Sequence, residues 1–207
     1  MRIIKATYEI LTPLDRVQIL KHIETCGRIC YKSEHKVTED SYLGFVRNII
    51  ERGHESVLEH FSFSVKFICD RGVSHELVRH RLASYSQEST RYCNYSKDSF
   101  NGEIVVIEPI YLQPNTPPYN TWKEACEVAE SAYFRLLEWG CTPQEARSVL
   151  PTSLKTEVVM TANLREWRHF LKIRCSPAAH PQMRELTIPL LNDLKSRIPV
   201  IFEDINP

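Results

Sequence analysis

The stretch "FSFSVKFIC", residues 61–69, alternates cleanly between apolar and polar side chains. Side chains of a β-strand point alternately to opposite faces, so this period of two predicts a strand with one apolar face. The stretch "LKTEVVMTA", residues 154–162, alternates in the same way and predicts a second such strand. These two strands are the clearest sign that the fold contains a sheet.

The rest of the chain adds weaker strands and several helices. Residues 1–12 and 103–110 are predicted strands, and residues 114–120 are a predicted loop. The Ser-rich part of "RHRLASYSQESTRY", residues 79–92, is expected to adopt loop conformations. Helical spacing of apolar residues predicts helices over residues 14–31, 41–52, 71–82, 121–139, 142–150, 163–173 and 182–196. Strands and helices follow no regular alternation, which predicts an α+β fold with helices packed on a mixed sheet. No linker-like segment divides the chain, so residues 1–207 are expected to form a single domain.

Local signals set the expected helix boundaries. Gly53 follows the helix over residues 41–52 as a stop signal. N-caps are predicted at Thr121, Thr142 and Asn163. Pro189 is expected to kink the last helix.

Composition restricts the class of protein. The chain has 26 basic and 26 acidic residues and therefore no net charge, whereas a nucleic-acid-binding domain usually has a basic excess. It has seven cysteines, and its first residues, "MRIIKATYEI", lack the apolar run of a signal peptide. These features predict reduced thiols and a cytoplasmic location. No run of 18 apolar residues exists, so no membrane-spanning helix is expected.

The segment "RHRLASYSQESTRY", residues 79–92, concentrates basic groups, hydroxyls and amides. Such donors bind anions, and Arg91 offers a bidentate fork for a phosphate. On a helix, Arg79 and Arg81 would point to different sides, which favours two anions or one long ligand over a single phosphate. A solvated basic turn is the simpler alternative. A nucleic-acid-binding module is the rival function, with Tyr85 and Tyr92 stacking on bases.

The same segment resembles the signature motif of the flavin-dependent thymidylate synthases, which is Arg-His-Arg, seven residues, then Ser. Further similar blocks are "GHESVLEH" at 53–60, "EARSVLP" at 145–151 and "ANLREWRHFLKIRC" at 162–175. The similarity covers roughly residues 40–195, in the family's order and spacing. Agreement over several separated blocks argues against a chance match.

This resemblance implies reductive methylation of dUMP to dTMP. Methylenetetrahydrofolate would supply the carbon, reduced FAD the hydride, and NADPH the electrons that reduce the flavin. The resemblance also implies a homotetramer whose active sites are shared between subunits. No partner nucleic acid, membrane or metal ion is expected.

Site residues follow from the matched motifs. The resemblance implies that Arg174 is the catalytic arginine, set against the uracil to favour its N3-deprotonated form. From the residues alone, Arg174 would be interpreted as a cation favoured by the helix dipole. The positions that match flavin contacts are Ser56, Arg79, His80, Arg81, Gln87, Asn163, Arg165 and His169. The positions that match nucleotide contacts are Glu76, Arg79, Gln87, Glu88, Ser89, Thr90, Arg91, Arg147 and Arg174.

Four positions, which form three departures, differ from the family pattern. Ser86 and Gln87 stand where many members have Asn and Glu, and His169 replaces a common Asn. Glu76 stands where Gln is frequent. Its carboxylate would repel a phosphate unless it were paired or protonated, which puts its role as a phosphate ligand in doubt.

Cys175, next to Arg174, suggests the thiolate mechanism of the other thymidylate synthase class, because a neighbouring arginine lowers the pKa of a thiol. Nothing else of that class's sequence appears in the chain. Cys175 is therefore predicted to be incidental.

Overall fold

The computed structural model describes residues 1–97 and 100–207 of the chain. Its strands are β1 (Arg2–Ile4), β2 (Thr7–Ile10), β3 (Ser62–Asp70), β4 (Ala83–Gln87), β5 (Val105–Ile107) and β6 (Lys155–Asn163). Its α-helices are α1 (Arg16–Ile29), α2 (Ser41–Glu51), α3 (Arg71–Leu77), α4 (Pro117–Glu138), α5 (Pro143–Ala146), α6 (Leu164–Arg174), α7 (Pro181–Arg197) and α8 (Pro199–Phe202). Short 3-10 helices span Glu34–Lys36, Glu55–His60 and Arg147–Val149. The predicted α+β class is confirmed.

The described strands form two sheets with parallel and antiparallel pairings. β1 pairs with β5 in parallel, with Ile3 opposite Val106. Val106 also makes an isolated antiparallel bridge to Leu154. The larger sheet has the strand order β2-β3-β6-β4.

The chain forms two compact units, each built from three separate stretches. Unit 1 contains Met1–Thr7, Phe67–Arg79 and Tyr85–Val159, and unit 2 contains Tyr8–Lys66, His80–Ser84 and Met160–Pro207. Each strand of the larger sheet has residues in both units, so the chain passes from one unit to the other within these strands. The single domain expected for residues 1–207 stays a prediction.

Unit 1 has an aromatic core beside α4. Tyr133 of α4 is fully buried, and its ring centre lies 5.7 Å from that of Tyr95. The Tyr133 hydroxyl accepts a hydrogen bond from the backbone N–H of Tyr95 at 3.4 Å. The other buried members of this core are Ile104, Val106, Cys126, Ala146 and Leu154.

Unit 2 has a core centred on α6. The Trp167 ring stacks on Phe63 of β3 at 4.8 Å, and Phe170 meets Trp167 edge-on at 5.6 Å. The Trp167 indole N–H donates to the Phe63 carbonyl at 3.1 Å, so this buried polar group is satisfied. Around this core, α1 packs against α2, and α6 packs against α7.

The alternating strands and several helix boundaries are as predicted. Every second residue of β3 is buried, and β6 alternates between buried and half-buried residues. Gly53 has φ +69° after α2, a left-handed conformation that glycine adopts without steric cost. Thr142 and Asn163 are the N-caps of α5 and α6. Helix α7 continues through Pro189, and the kink expected there stays a prediction.

Four predictions about secondary structure were wrong. Residues 1–12 form two strands, β1 and β2, instead of one. α3 ends at Leu77, so Arg79 and Arg81 do not lie on a helix. Part of the predicted Ser-rich loop is the strand β4, whose half-buried and exposed residues alternate. α4 begins at Pro117, so Thr121 lies inside the helix, where its hydroxyl donates to the Pro117 carbonyl at 2.9 Å.

Among the described residues, no helix combines the length and apolarity that crossing a membrane would require. All seven cysteines lie within the described ranges, and they are free thiols.

Candidate active site

The Arg-His-Arg motif lies on the turn between α3 and β4. Asp70 caps α3 by accepting a hydrogen bond from the Val73 N–H at 2.7 Å, and the helix ends before the motif. Arg79 and Arg81 are exposed, whereas His80 between them is only 7% exposed. The two arginines of the motif are therefore accessible to anions, and its histidine is a buried group.

Unit 1 contains a cavity of about 280 Å³ with a basic lining. Arg147 lines it and donates to the Thr90 hydroxyl at 3.4 Å. Arg71 also lines it, and its buried Nη1 has no hydrogen-bond partner among the described residues. A buried donor without a partner costs free energy, which a ligand that accepts its hydrogen bond would recover. With His75 at the wall as well, the cavity suits an anion.

Gln87 and Glu88 have well-defined partners in unit 1. The Gln87 amide donates to the hydroxyls of Ser74 at 3.0 Å and Thr156 at 3.2 Å. The Glu88 carboxylate accepts hydrogen bonds from Lys155 at 3.0 Å and from the Tyr95 hydroxyl at 3.0 Å. The predicted ligand contacts of Gln87 and Glu88 stay predictions.

Other predicted nucleotide contacts also lie in unit 1. The Ser89 hydroxyl accepts a hydrogen bond from the Arg91 backbone N–H at 3.3 Å. The Arg91 guanidinium lies 5.5 Å from the centre of the Tyr92 ring. Glu76 is half-buried near the end of α3. The contacts of Glu76, Ser89 and Arg91 with a nucleotide stay predictions as well.

Unit 2 contains a larger cavity of about 840 Å³. Two predicted flavin contacts, Ser56 and Arg165, line it. Gly27 lies in its wall, where a Cβ would come within 2.6 Å of the Phe45 ring and would force that ring to shift. Basic groups outnumber acidic ones among its charged lining residues, which are Arg28, Lys36, Arg52, Glu55 and Arg165.

Helix α6 presents the predicted flavin contacts on its exposed side. Asn163 caps the helix by accepting a hydrogen bond from the Glu166 N–H at 2.9 Å. Arg165 and His169, four residues apart, are both exposed, and Arg165 donates to Glu59 at 2.6 Å. The fully buried residues of this helix include Trp167, Phe170 and Leu171.

A hydrogen-bonded cluster in unit 2 contains the predicted catalytic residue. The Arg174 Nε donates to His80 Nε2 at 3.0 Å, and His80 Nδ1 lies 3.2 Å from Glu166 Oε1. Burial and the Arg174 charge lower the pKa of His80, although Glu166 acts in the opposite direction. His169 is close by, with its ring centre 6.0 Å from that of His80.

Comparison with known proteins identifies the family. A family model described as thymidylate synthase complementing protein matches residues 14–200. The chain belongs to the flavin-dependent thymidylate synthase family.

Proteins named flavin-dependent thymidylate synthase resemble the chain over most of its length. The one from Geobacter sulfurreducens is 32% identical, with 93% of this chain and 87% of the relative covered. The one from Pyrococcus furiosus is 32% identical, with 94% and 78% covered. The one from Mycobacterium tuberculosis is 36% identical, with 88% and 78% covered.

The cavity of unit 2 fits the flavin that the name flavin-dependent thymidylate synthase implies. Its volume of about 840 Å³ lies within the range of about 300–1,000 Å³ that is usual for ligand and cofactor pockets. Basic groups such as Arg52 and Arg165 suit a pyrophosphate, and Phe45 and Ile49 suit an apolar ring system. The lining therefore matches a flavin dinucleotide in both charge and size.

The positions expected to contact the flavin and those expected to contact the nucleotide lie largely in different units. Most positions matched to the flavin lie in unit 2, namely Ser56, His80, Arg81, Asn163, Arg165 and His169. Most positions matched to the nucleotide lie in unit 1, namely Glu76, Arg79, Gln87, Glu88, Ser89, Thr90, Arg91 and Arg147. Arg174 belongs to unit 2, while Arg79 and Gln87, matched to both ligands, belong to unit 1.

The sequence alone does not identify Arg71, His75 or Glu166 as site residues. Arg71 and His75 lie on α3, just before the basic segment, so a wider definition of that segment would include them. The sequence identifies Glu166 only as part of a helix cap, although its carboxylate faces His80, 86 residues earlier in the chain. No local pattern pairs Glu166 with this histidine.

Proposed function

We propose that the chain catalyses the family's reaction, the reductive methylation of dUMP to dTMP, in the cytoplasm. Methylenetetrahydrofolate is the carbon donor, and FAD reduced by NADPH is the hydride donor. The observation that carries the flavin assignment is the basic cavity of unit 2, which Ser56 and Arg165 line together.

The flavin site is formed by residues around α6 and the 3-10 helix Glu55–His60. Ser56 offers a hydroxyl, and Arg165 offers a guanidinium that suits a pyrophosphate oxygen. Asn163 and His169 lie on either side of Arg165 in sequence and offer further polar groups. FAD bound there would supply the hydride once it is reduced, and these residues would bind and orient it.

The nucleotide phosphate occupies the basic cavity of unit 1. The Arg147 guanidinium lies 3.4 Å from the Thr90 hydroxyl, and the buried Nη1 of Arg71 needs an acceptor that the described residues do not supply. A phosphate dianion can accept from both guanidiniums, which strengthens each hydrogen bond because both partners are charged. Ser89 and Arg91 flank Thr90 in sequence and offer further donors.

Arg174 is the catalytic residue. A guanidinium stays charged at any physiological pH, so it can stabilise an N3-deprotonated uracil without losing a proton itself. Fixed positive charge placed where negative charge develops is often the largest contribution to catalysis. The anionic ring is more electron-rich at C5, and C5 can then attack the one-carbon unit without an enzyme thiolate.

Cys175 plays no part in this reaction. The residue is fully buried, and burial raises the pKa of its thiol. A raised thiol pKa leaves little thiolate at neutral pH, so the residue is a poor nucleophile. This agrees with the prediction that Cys175 is incidental.

The active enzyme is a homotetramer in which several chains surround each active site. Such an arrangement would allow the separate basic surfaces of different chains to serve one long ligand. The absence of net charge removes a general electrostatic barrier to self-association.

The test is the visible absorption spectrum of the purified protein reconstituted with FAD under anaerobic conditions. We expect a yellow protein that NADPH bleaches, and dTMP should form once dUMP and methylenetetrahydrofolate are added. A protein that takes up no FAD but binds single-stranded DNA, with an affinity that falls steeply with salt, would support the rival nucleic-acid-binding function instead.

A further inference from the structure

The cluster around His80 connects two ends of one helix. Glu166 lies in the first turn of α6 and Arg174 is its last residue. His80, from the turn after α3, lies between them, 3.2 Å from the Glu166 carboxylate and 3.0 Å from Arg174 Nε. Glu166 is 6% exposed and His80 is similarly buried, so water competes little for these contacts.

The geometry fixes the tautomer of His80. The Nε of a guanidinium carries a hydrogen and cannot accept a hydrogen bond, so His80 Nε2 must be the acceptor. A neutral imidazole that accepts at Nε2 has its proton at Nδ1, and Glu166 Oε1 is the acceptor that faces this proton. Burial and the Arg174 charge lower the pKa of His80 and so favour the neutral ring.

We propose that Glu166 is a positioning residue for Arg174 and acts through His80. Its carboxylate holds the proton on Nδ1, which leaves Nε2 to bind the Arg174 Nε–H and fix the plane of the guanidinium. This inference rests on the catalytic role proposed for Arg174. A misplaced guanidinium would still be charged, but it would no longer stabilise the uracil anion efficiently.

A metal centre is the alternative for the same residues. The ligand atoms of His80, Glu166 and His169 all lie within 4.8 Å of one another. However, both ring nitrogens of His80 already have partners, and one of these is the cationic Arg174. A bound cation would displace one hydrogen bond and be repelled by the guanidinium, so the hydrogen-bonded chain is favoured.

Protonation of His80 should disrupt the cluster. It would place a hydrogen on Nε2, opposite the Arg174 Nε–H, so that Nε2 could no longer accept and the contact would break. The charged and titratable groups that act on His80 are Arg174, Glu166 and His169, all on α6. Because the pKa of His80 is lowered, kcat should fall only on acidification below the usual histidine range.

The kinetic test compares Glu166→Ala, Glu166→Gln and wild type, with Asp204→Asn as a matched control. Asp204 also pairs with an arginine of α6 at 2.7 Å, but that arginine is Arg168 instead of Arg174. Glu166→Ala should lower kcat roughly 10- to 100-fold while the FAD content and the KM for dUMP change little. Glu166→Gln keeps an oxygen acceptor, so it should restore most of kcat. It should also move the acid limb of the pH profile to lower pH, because the Glu166 charge raises the pKa of His80.

Unchanged kcat in Glu166→Ala, or an equal loss in Asp204→Asn, would overturn the proposal. So would a stoichiometric metal ion, detected by mass spectrometry of the purified wild type and lost in Glu166→Ala.

A second measurement is independent of activity. The ¹⁵N spectrum of the histidine rings, assigned with a His80→Asn variant, should show His80 as the Nδ1–H tautomer in wild type and Glu166→Gln, and a changed state in Glu166→Ala. The same tautomer in Glu166→Ala would refute the positioning role. A wild type that shows the expected tautomer but makes no dTMP would refute the proposed function and not the hydrogen-bonded chain.

Discussion

Arg174 and Cys175 are neighbours in sequence but lie in different chemical surroundings. Arg174 is half-buried and bonds to a histidine whose pKa is lowered, whereas the Cys175 thiol is fully enclosed and its pKa is raised by burial. At this position in the chain, fixed charge is available for chemistry and the thiolate is not. The two residues therefore distinguish two possible mechanisms.

Arg174→Ala should retain FAD but lose methylation, with kcat falling by about 100-fold or more. The reason is that no other member of the His80 cluster carries a fixed positive charge. The measurements are bound flavin absorbance and dTMP formation, with Cys175→Ser as the matched control at the adjacent residue. Unchanged turnover in Arg174→Ala would refute its role, and complete inactivation of Cys175→Ser would support a thiolate mechanism.

Arg71→Ala should raise the KM for dUMP roughly 10- to 100-fold, the loss expected for a charged hydrogen bond. The buried Nη1 of Arg71 lacks a partner within residues 1–97 and 100–207, and a phosphate oxygen would supply one. Steady-state kinetics with dUMP would measure the change, and Arg71→Lys should recover part of it. Arg135→Ala, at an exposed arginine of α4 in the same unit, is the control. An effect of Arg135→Ala as large as that of Arg71→Ala would contradict the assignment.

At the scale of single elements, α6 determines much of unit 2. Its buried side contributes Trp167 and Phe170 to the core. Its two ends carry the cap at Asn163 and the proposed catalytic residue, Arg174. The same helix therefore forms the core of the unit and positions the chemistry proposed for it.

A buried arginine also holds α6 in place. Arg168 bonds to the carboxylates of Glu55 at 3.0 Å and Asp204 at 2.7 Å, and it donates to the Ile201 carbonyl. A buried guanidinium with several acceptors is stabilising only while each of them stays in place. The helix is thus fixed by both apolar packing and charged hydrogen bonds.

Asp204→Asn should reduce stability at neutral pH and weaken its dependence on acid pH. The hydrogen bond to Arg168 lowers the pKa of Asp204 below its ordinary value of 3.8. As pH falls, the unfolded state therefore binds the proton first, so the stabilisation is complete above pH 3.8 and lost as pH falls through the folded-state pKa. Urea unfolding at several pH values would measure this. Equal free energies of unfolding for the variant and wild type at neutral pH would contradict it.

Elements are predictable where a single physical signal dominates. The apolar faces of β3 and β6 alternate with period two, and both strands lie within one residue of the predicted ends. β4 is not predicted as a strand because serine is typical of loops, although the residues of β4 alternate with the same period of two. The start of α4 is predicted too late because Pro117 and Pro118, which suit the first turn of a helix, also occur in loops.

The site is only partly predictable for a different reason. The motifs identify the arginines that face solvent. The role of Glu166 depends on its contact with His80, which is remote in sequence, and the role of Arg71 depends on the cavity that it lines. Glu166 and His80 are separated by 86 positions, and no local pattern carries information over that distance.

At the scale of the whole molecule, we expect the protein to sediment and elute as a tetramer of 24.1 kDa chains. In the segment over residues 79–92, Leu82 is 76% exposed and Tyr92 is 78% exposed. Large exposed apolar side chains often mark a surface that contacts another chain. Light scattering coupled to gel filtration would give the mass. Leu82→Asp should weaken assembly and activity together, whereas Val128→Asp, at an exposed position of α4, should not. A monomeric wild type with full activity would contradict the shared site.

Neither unit is encoded by one uninterrupted stretch of sequence. Unit 1 gains its last stretch when residue 159 has been synthesised, and unit 2 must wait for Met160–Pro207. On the ribosome, Phe63 therefore emerges 104 residues before Trp167, the partner on which it stacks. A chain released early, before α6, would leave that apolar face uncovered and open to chaperones or aggregation.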